Sequence, residues 1–266
     1  QQNRDLADSN RIHIKIIHAP RGVIFDRNGK VLAANSPAFR LYSVDSKTAR
    51  LISREEALEL EVKNDPKIAD LEIDHVRSYP LGEKLAHVVG FVGEISEVQL
   101  QDPQFKNYRQ GDRVGQSGIE AQYEKILKGV DGGEVIEVDS LGKKLRTLRT
   151  NPPTPGQNIY LTLDADLQDK IYQQLVSILP KVGSCCAAAL AMDPNTGQIL
   201  ALLSLPSFNP NIFTSSADEA EISQIFSQPD SPILNRAISG TYPPGSTFKI
   251  VSALAALSSG KINAET

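Results

Sequence analysis

The stretch Cys185–Leu205, with the sequence CCAAALAMDPNTGQILALLSL, consists of two apolar runs separated by the polar sequence DPNTG. Asp, Pro, Asn and Gly favour turns, and short apolar runs on either side of a turn are typical of buried strands. The stretch therefore predicts a β-hairpin whose two strands are buried on both faces, as in the middle of a covered sheet. In this interpretation Cys185 and Cys186 are two small residues that pack within the first buried strand.

Helices are predicted on both sides of this hairpin. The helix before it can be capped by Asp164 and is expected to end near Pro180. Residues 215–232 are polar and are expected to form a surface loop and a short helix, and the last helix is expected to end near Gly260. The apolar residues that recur at helical spacing are Leu167, Ile171, Leu175, Ile178 and Leu179 in the first helix, and Ile250, Ala253, Leu254 and Leu257 in the last.

A domain boundary is predicted at NPPTPGQ, residues 151–157, because three prolines and a glycine interrupt any regular element. It divides the chain into residues 1–156, predicted to be mostly β, and residues 157–266. The first part carries strand, hairpin and helix-capping patterns. These are the alternating Ile12, Ile14 and Ile16, the turn Asn28-Gly29, the capping box Ser53 and Glu56, and the helix start at Ser96.

The composition excludes several classes of function. The net charge of -4 provides no general attraction to nucleic acid or to an anionic membrane surface. No segment approaches the roughly 18 to 20 continuous apolar residues that cross a bilayer, so the chain as given is expected to be soluble. The two adjacent cysteines would point to opposite faces of a strand, and His13 and His18 lack ligand spacing, so no metal site and no cofactor are predicted. These histidines are expected on a strand surface or in a turn.

The sequence GTYPPGSTFKI, Gly240–Ile250, places Ser246 and Lys249 three residues apart at the start of the last helix. Residues at this spacing lie on one helix face, with Cβ atoms about 5 to 6 Å apart. A serine becomes a good nucleophile only beside a base, and a lysine serves as a base only when its pKa falls well below about 10.4. Burial and the positive end of a helix both lower it. Taken alone the pattern is weak, because a serine that simply caps a surface helix gives the same sequence.

With its flanks included, the chain resembles the class B penicillin-binding proteins, the D,D-transpeptidases that cross-link peptidoglycan, and in particular their elongation-type members. Segments in the first part resemble the non-catalytic pedestal of that family, and later segments resemble its transpeptidase domain. The pedestal segments are APRGVIFDRNGKVLA, YPLGEKLAHVVGFVGEIS, GQSGIEAQYEKILKG and VDSLGKKLRTL. The transpeptidase segments are LTLDADLQ, AMDPNTGQILALLSLPSFNPN and LNRAISGTYPPGSTFK, the last resembling the active-site serine motif.

The resemblance implies an α+β fold, with an elongated, mostly β pedestal (residues 1–156) followed by the N-terminal portion of a transpeptidase domain (residues 157–266), in which helices pack on an antiparallel sheet. Ser246 would form the acyl-enzyme and react with β-lactams, and Lys249 would be its general base. The implied partners are D-Ala–D-Ala stem peptides and a membrane glycosyltransferase of the shape and elongation class. The implied location is the extracytoplasmic face of the cell membrane, through an N-terminal anchor that precedes this sequence.

The sequence departs from the family pattern in two respects. The family has a Ser-x-Asn motif and a Lys-Thr-Gly or Lys-Ser-Gly strand far downstream of the serine, and neither follows Lys249. The chain is therefore expected to be a fragment with negligible transpeptidase activity by itself, because losing even one oxyanion donor typically costs about 10²- to 10³-fold in rate. The segment between Asn35 and Gly82 is also shorter than the family's usual head region, which is thought to contact partner proteins. Whether this chain makes a specific partner contact through that region is therefore left open.

Other functions remain open from the sequence. The pedestal could serve as a scaffold that activates a glycosyltransferase, with acyl transfer secondary or lost. A β-lactam sensor or β-lactamase could use the same serine, although the long pedestal is unlike a simple β-lactamase. A division-type member of the family is the alternative to the elongation type.

Overall fold

The computed structural model describes residues 12–43, 49–52, 54–63, 68–138, 144–214, 219–263 and 265. The strands are β1 (Ile12–Ile17), β2 (Ile24–Phe25), β3 (Val31–Ser43), β4 (Ala49–Ile52), β5 (Ile68–Ser78), β6 (Val92–Glu94), β7 (Arg113–Gly115), β8 (Gly132–Val138), β9 (Lys144–Asn151), β10 (Ile159–Tyr160), β11 (Ala187–Met192) and β12 (Ile199–Leu205). The helices are α1 (Arg54–Lys63), α2 (Ala86–Val89), α3 (Glu97–Leu100), α4 (Gly118–Gln122), α5 (Glu124–Leu127), α6 (Ala165–Val182), α7 (Glu219–Ser227), α8 (Arg236–Ser239) and α9 (Lys249–Ser258). Within these residues, 3-10 turns cover Gly82–Lys84, Pro103–Phe105, Pro210–Phe213 and Gly245–Phe248. The predicted α+β class is confirmed.

The largest sheet is built around the long strand β3. Its strand order is β10-β2-β3-β4, and β5 also pairs with β3. The turn between β2 and β3 confirms the predicted hairpin, with Gly29 at a φ of 83°, where glycine is favoured. The buried carboxylate of Asp26 accepts hydrogen bonds from the backbone N–H groups of Asn28 and Lys30, at 2.8 and 2.7 Å. Local chemistry therefore fixes this turn.

The hydrophobic core extends across the predicted domain boundary. Strand β10, which follows residue 157, pairs in parallel with β2. The same Asp26 carboxylate accepts a hydrogen bond from the backbone N–H of Ala165, at 3.1 Å. The buried core residues come from both parts of the chain and are Ile24, Leu32, Ala33, Tyr79, Leu85, Val89, Leu127, Leu163 and Ala165. The division between residues 1–156 and 157–266 remains a prediction, and the chain around it is packed against both parts.

The alternating isoleucines near the N-terminus form β1, as predicted. This strand pairs with β8, which pairs with β9, in a separate antiparallel sheet of three strands. Ile12, Ile14 and Ile16 are all exposed, and Ile14 exposes 76% of its surface. The alternation correctly indicated a strand, but this face of the sheet is not covered within the described residues.

The β11–β12 hairpin is confirmed, but its burial differs from the prediction. Ala201, Leu203 and Leu205 of β12 are buried, whereas Leu190 and Met192 of β11 are each 51% exposed. Alternate residues of β11 are exposed because helix α6 packs against one face of this two-stranded sheet, and the opposite face of β11 has little cover within the described residues.

The prediction that Cys185 and Cys186 pack inside a buried strand is wrong. Both residues precede β11, and Cys185 is exposed. Their Sγ atoms form a disulfide. Asp230 lies close enough that the two sulfurs and a carboxylate oxygen fall within 4.8 Å of one another. Because thiolates rather than disulfides bind metals, this cluster is not a metal site in its disulfide form.

Helix α6 begins where the sequence predicts and ends at Val182, two residues after the predicted end at Pro180. The Asp164 carboxylate accepts hydrogen bonds from the backbone N–H groups of Asp166 and Leu167, both at 3.0 Å. Pro180 lies inside the last turn, and the helix ends at Val182 before Gly183, whose φ of 62° is left-handed. The buried amide of Gln168 fixes α6 to β12, since it donates to the carbonyl of Leu202 and accepts from its N–H.

Replacing Asp164 with alanine is expected to lower the free energy of unfolding by about 1 kcal/mol, because two backbone donors lose their acceptor. Equilibrium urea unfolding followed by circular dichroism measures this change. Asp164→Asn is the matched control, because asparagine keeps a capping oxygen at the same position and removes only the charge. Equal losses in both variants would show that charge, and not capping, is responsible.

The remaining helix predictions agree with the structure where it describes them. Helix α1 occurs as predicted, although Ser53 of its capping box lies outside the described residues. Ser96 caps α3, and Gln99 completes a capping box. Helix α9 ends at Ser258, close to Gly260. The signals for these helices are local, so they could be read from the sequence.

Candidate active site

Ser246 and Lys249 lie at the junction between a 3-10 turn and a helix. Ser246 is the second residue of the turn Gly245–Phe248, and Lys249 is the first residue of α9. The backbone N–H of Lys249 donates to the carbonyl of Ser246. In a 3-10 turn the side chains of residues three apart are eclipsed, so this backbone brings the Ser246 and Lys249 side chains to the same side. The predicted pairing is thus compatible with the local backbone, and the catalytic roles remain a prediction.

The sequence before the serine explains the turn. Gly245 has a φ of 55°, a left-handed value that a residue with a Cβ adopts only at a cost of roughly 1 to 2 kcal/mol. The carbonyl of Pro244 accepts hydrogen bonds from both the N–H and the hydroxyl of Thr247, at 3.3 and 2.5 Å. Pro-Pro-Gly therefore sets the chain direction immediately before Ser246.

Both candidate side chains are exposed. Within the part of the chain that the structure describes, neither the Ser246 hydroxyl nor the Lys249 amine has a hydrogen-bond partner. The apolar face of α9 is exposed as well, with 70% of Ile250 and 60% of Leu254 accessible. The local structure places a hydroxyl and an amine on one side of a helix start, while the described residues do not enclose them.

The segment that leads to the serine is anchored on β12. The hydroxyl of Ser204 donates to the carbonyl of Leu234 and accepts from the N–H of Arg236, both at 2.9 Å. Arg236 opens α8 with its side chain buried, and its guanidinium donates to the carbonyls of Asp230 and Ser231. These contacts hold the loop before α8 against the hairpin.

His87 on α2 connects this loop to the first part of the chain. Its Nε2 lies 2.7 Å from the carbonyl oxygen of Pro232, and because a carbonyl only accepts, Nε2 carries the proton. Asn235 donates to the backbone carbonyl of His87 at 3.4 Å. Burial lowers the pKa of His87, although the bond to Pro232 works in the opposite direction. His87 could not be identified from the sequence, since nothing in the local pattern of residues around it shows that Pro232 lies beside it.

Stability is expected to fall on acidification because of His87. Its pKa is lowered in the folded state, so as the pH falls through about 6.5 the unfolded chain gains a proton first. The contribution of neutral His87 to the free energy of unfolding is complete above about pH 6.5, and it is lost as the pH decreases towards the folded-state pKa of His87. Unfolding free energies measured from pH 8 to pH 5 should therefore decline less in His87→Gln. The control His13→Gln, at an exposed strand position, should decline like the parent chain.

A buried ionic network lies within the first part of the chain. Glu120 is fully buried and accepts from Nε of Arg21 at 2.7 Å and from Nε of Arg77 at 2.6 Å. Glu124 accepts from Nη2 of Arg21 at 2.5 Å and from the hydroxyl of Tyr108 at 2.7 Å. Burial opposes the charge of Arg21, but Glu120 and Glu124 outweigh it and raise the pKa of Arg21. This network was not predicted from the sequence, because the arginines and the glutamates that they contact are far apart in the chain.

Two known protein domains match this chain. Residues 16–63 and 47–161 match the penicillin-binding protein dimerisation domain, and residues 187–266 match the penicillin-binding protein transpeptidase domain. The chain belongs to the penicillin-binding proteins. The resemblance inferred from the sequence is therefore confirmed.

Curated relatives and solved structures support the same family. The peptidoglycan D,D-transpeptidase MrdA of Acinetobacter baumannii is 34% identical over 97% of this chain and 43% of its own length. A Helicobacter pylori penicillin-binding protein, PBP2, solved in complex with MreC, is 24% identical, with a TM-score of 0.76 over 96% of this chain and 54% of that one, and shows the shared fold. Pseudomonas aeruginosa PBP2, solved in complex with WCK 5153, is 30% identical, with a TM-score of 0.63 over 94% of this chain and 43% of that one.

This penicillin-binding protein chain spans about half the length of the curated relatives it matches. Among its described residues, none of the helices combines the length and the apolar character that crossing a bilayer requires.

Proposed function

We propose that the protein is a serine D,D-transpeptidase of peptidoglycan synthesis. The observation that carries this proposal is the 3-10 turn that places Ser246 and Lys249 on one side, within a region that matches the transpeptidase domain. MrdA relatives that are named peptidoglycan D,D-transpeptidases support it. Those names do not favour a purely structural scaffold.

The proposed reaction has two steps. Lys249 accepts the hydroxyl proton of Ser246 as its Oγ attacks the D-Ala–D-Ala carbonyl carbon of a stem peptide. The amide bond breaks, the terminal D-Ala leaves as an amine after protonation, and an ester to Ser246 remains. An amine of a second stem peptide then attacks this ester and restores the serine. A β-lactam would be attacked at its ring amide in the same way.

A direct test is the release of D-Ala from a pentapeptide that ends in D-Ala–D-Ala, together with mass spectrometry of the peptide that contains Ser246. For the protein as its gene encodes it, we expect D-Ala release and a penicilloyl adduct on Ser246 after treatment with penicillin. An adduct on another residue would contradict the assignment. The 266-residue chain alone is expected to show negligible activity, because no Ser-x-Asn or Lys-Thr-Gly motif follows Lys249 in it.

We also propose partners and a location for the protein. The similar solved structures include PBP2 with MreC and a peptidoglycan synthase complex, which support partners from cell-wall synthesis. We propose in particular a membrane glycosyltransferase of the elongation class, and the extracytoplasmic face of the membrane as the location. Co-purification of the glycosyltransferase with a tagged form of this protein from detergent-solubilised membranes would test the partner. Digestion of the tagged protein by protease added to the outer side of an intact cytoplasmic membrane would test the location, and resistance to the protease would contradict it.

A further inference from the structure

Two sulfur atoms and a carboxylate meet beside the segment that joins α6 to β11. Cys185 and Cys186 lie in this segment, and their Sγ atoms are bonded to each other. With an oxygen of Asp230, from the loop before α8, the two sulfurs lie within 4.8 Å of one another. Adjacent side chains point to opposite faces only in an extended strand, and both cysteines precede β11. The geometric reason for predicting no metal site here therefore does not hold.

The backbone that carries the sulfurs is tied to the end of helix α6. The N–H of Ser184 donates to the carbonyl of Leu179, in the last turns of the helix, at 3.2 Å. The Ser184 hydroxyl donates to the carbonyl of Cys186 at 3.0 Å and accepts from its N–H at 3.3 Å. These contacts fix the position of the cysteine pair without involving either sulfur.

The backbone of Asp230 is held from the other side by Arg236. The guanidinium of Arg236 is buried and donates to the carbonyl of Asp230 and, at 3.2 Å, to that of Ser231. The Asp230 side chain is itself exposed and forms no ion pair within the described residues. Its carboxylate is therefore free to bind an ion beside the sulfurs.

The three atoms suit Zn²⁺ once the sulfurs are reduced. Zn²⁺ binds thiolate sulfur at about 2.3 Å and carboxylate oxygen at about 2.0 to 2.2 Å, usually in tetrahedral geometry. Two sulfurs on such an ion lie roughly 3.8 Å apart, a separation that fits a cluster already within 4.8 Å. Mg²⁺ and Ca²⁺ take oxygen ligands, so a site with two sulfurs does not suit them. The fourth position on Zn²⁺ would be open to water.

We propose that Cys185, Cys186 and Asp230 form a Zn²⁺ site that is closed in the disulfide form and opened by reduction. A dithiol reductant gives two electrons and two protons to the disulfide. The S–S bond breaks, two thiols form, and the reductant becomes a disulfide. Zn²⁺ then binds both sulfurs as thiolates and releases their two protons to water. The site does not depend on Ser246 or on the proposed transpeptidase activity.

Titration with Co²⁺, whose absorption reports its ligands, tests the proposal. The 266-residue chain has 2 cysteines, so reduction by dithiothreitol and anaerobic gel filtration give a defined dithiol. We expect one Co²⁺ per chain, thiolate-to-cobalt charge-transfer absorption, the visible bands of tetrahedral cobalt, and displacement by Zn²⁺. The disulfide form should show no such bands. A reduced chain without the charge-transfer band would refute the proposal, and one ion per two chains would indicate cross-linking of copies instead.

Substitutions test each ligand separately. Cys185→Ser, Cys186→Ser and Asp230→Ala should each weaken Zn²⁺ binding at least about tenfold, because even partners outside the ligand set typically contribute 10- to 100-fold. Asp230→Ala should keep the charge-transfer band, since both thiolates remain. Glu221→Ala removes an exposed carboxylate of α7 outside the cluster and is the matched control, with binding like the parent chain. Equal affinity of Asp230→Ala and Glu221→Ala would rule out the carboxylate as a ligand and overturn the site.

A second measurement does not depend on how well the variants fold. Crystals of the reduced, unmodified chain soaked in Zn²⁺ should show an anomalous peak within bonding distance of both sulfurs and of an Asp230 oxygen. A peak that lacks either sulfur, or no peak at this position, would show that the pair is a disulfide or dithiol without a metal.

Discussion

Replacing Ser246 with alanine is expected to abolish covalent labelling by a fluorescent penicillin and to reduce D-Ala release by at least about 10⁴-fold. Without the hydroxyl there is no atom to carry the acyl group, and removal of a catalytic nucleophile has effects of at least this size. The measurement uses the protein as its gene encodes it. Because Ser246 is exposed and has no hydrogen-bond partner among the described residues, the unfolding midpoint should change little.

Two further variants separate the roles of the pair. Lys249→Gln should slow acylation by about 10²- to 10⁴-fold, the usual contribution of a general base. Lys249→Arg should be similarly slow, because arginine keeps the charge but does not release its proton near neutral pH. Ser252→Ala is the matched control, since Ser252 is another hydroxyl of α9 that donates only to the carbonyl of Phe248. Normal labelling of Ser246→Ala would exclude Ser246 as the nucleophile.

Replacing Glu120 with glutamine is expected to cost about 3 to 5 kcal/mol of unfolding free energy. The substitution preserves the size of the side chain but leaves Arg21 and Arg77 without the buried negative charge that both contact. Breaking one partner of a buried ion pair typically has an effect of this size, because the remaining charge stays desolvated. Urea unfolding monitored by circular dichroism provides the measurement.

The control for Glu120 is an exposed ion pair on α1. Glu59 and Lys63 are 3.3 Å apart with about 70% of each side chain exposed, so Glu59→Gln should cost at most about 0.5 kcal/mol. A loss below 1 kcal/mol in Glu120→Gln would mean that water or a rearranged neighbour compensates the two arginines. The buried network would then not be a main source of stability.

Patterns of neighbouring residues predicted much of the local structure. Asn28-Gly29 gave the hairpin turn, Asp164 gave the helix cap, and Ser96 gave a capping box, because the stabilising contacts span only two to four residues. The Ser246–Lys249 spacing was likewise visible, since one turn of backbone determines which side chains share a face.

Burial was predicted less well than secondary structure. The apolar runs around DPNTG correctly predicted two strands, yet Leu190 and Met192 of β11 are exposed. The isoleucines of β1 likewise form a strand without being covered. An apolar pattern indicates which face can be buried, while the presence of a covering element depends on the rest of the fold.

The sequence by itself determined the element types, their local turns and caps, and the family to which the chain belongs. Only the tertiary structure placed Glu120 between Arg21 and Arg77, joined His87 to Pro232, and buried Nη2 of Arg77 without a hydrogen-bond partner among the described residues. The physical reason is the range of the interactions. Turns and caps are decided by hydrogen bonds within a few residues. The Arg77–Glu120 pair and the His87–Pro232 contact instead join groups 43 and 145 residues apart, which only the folded chain brings together.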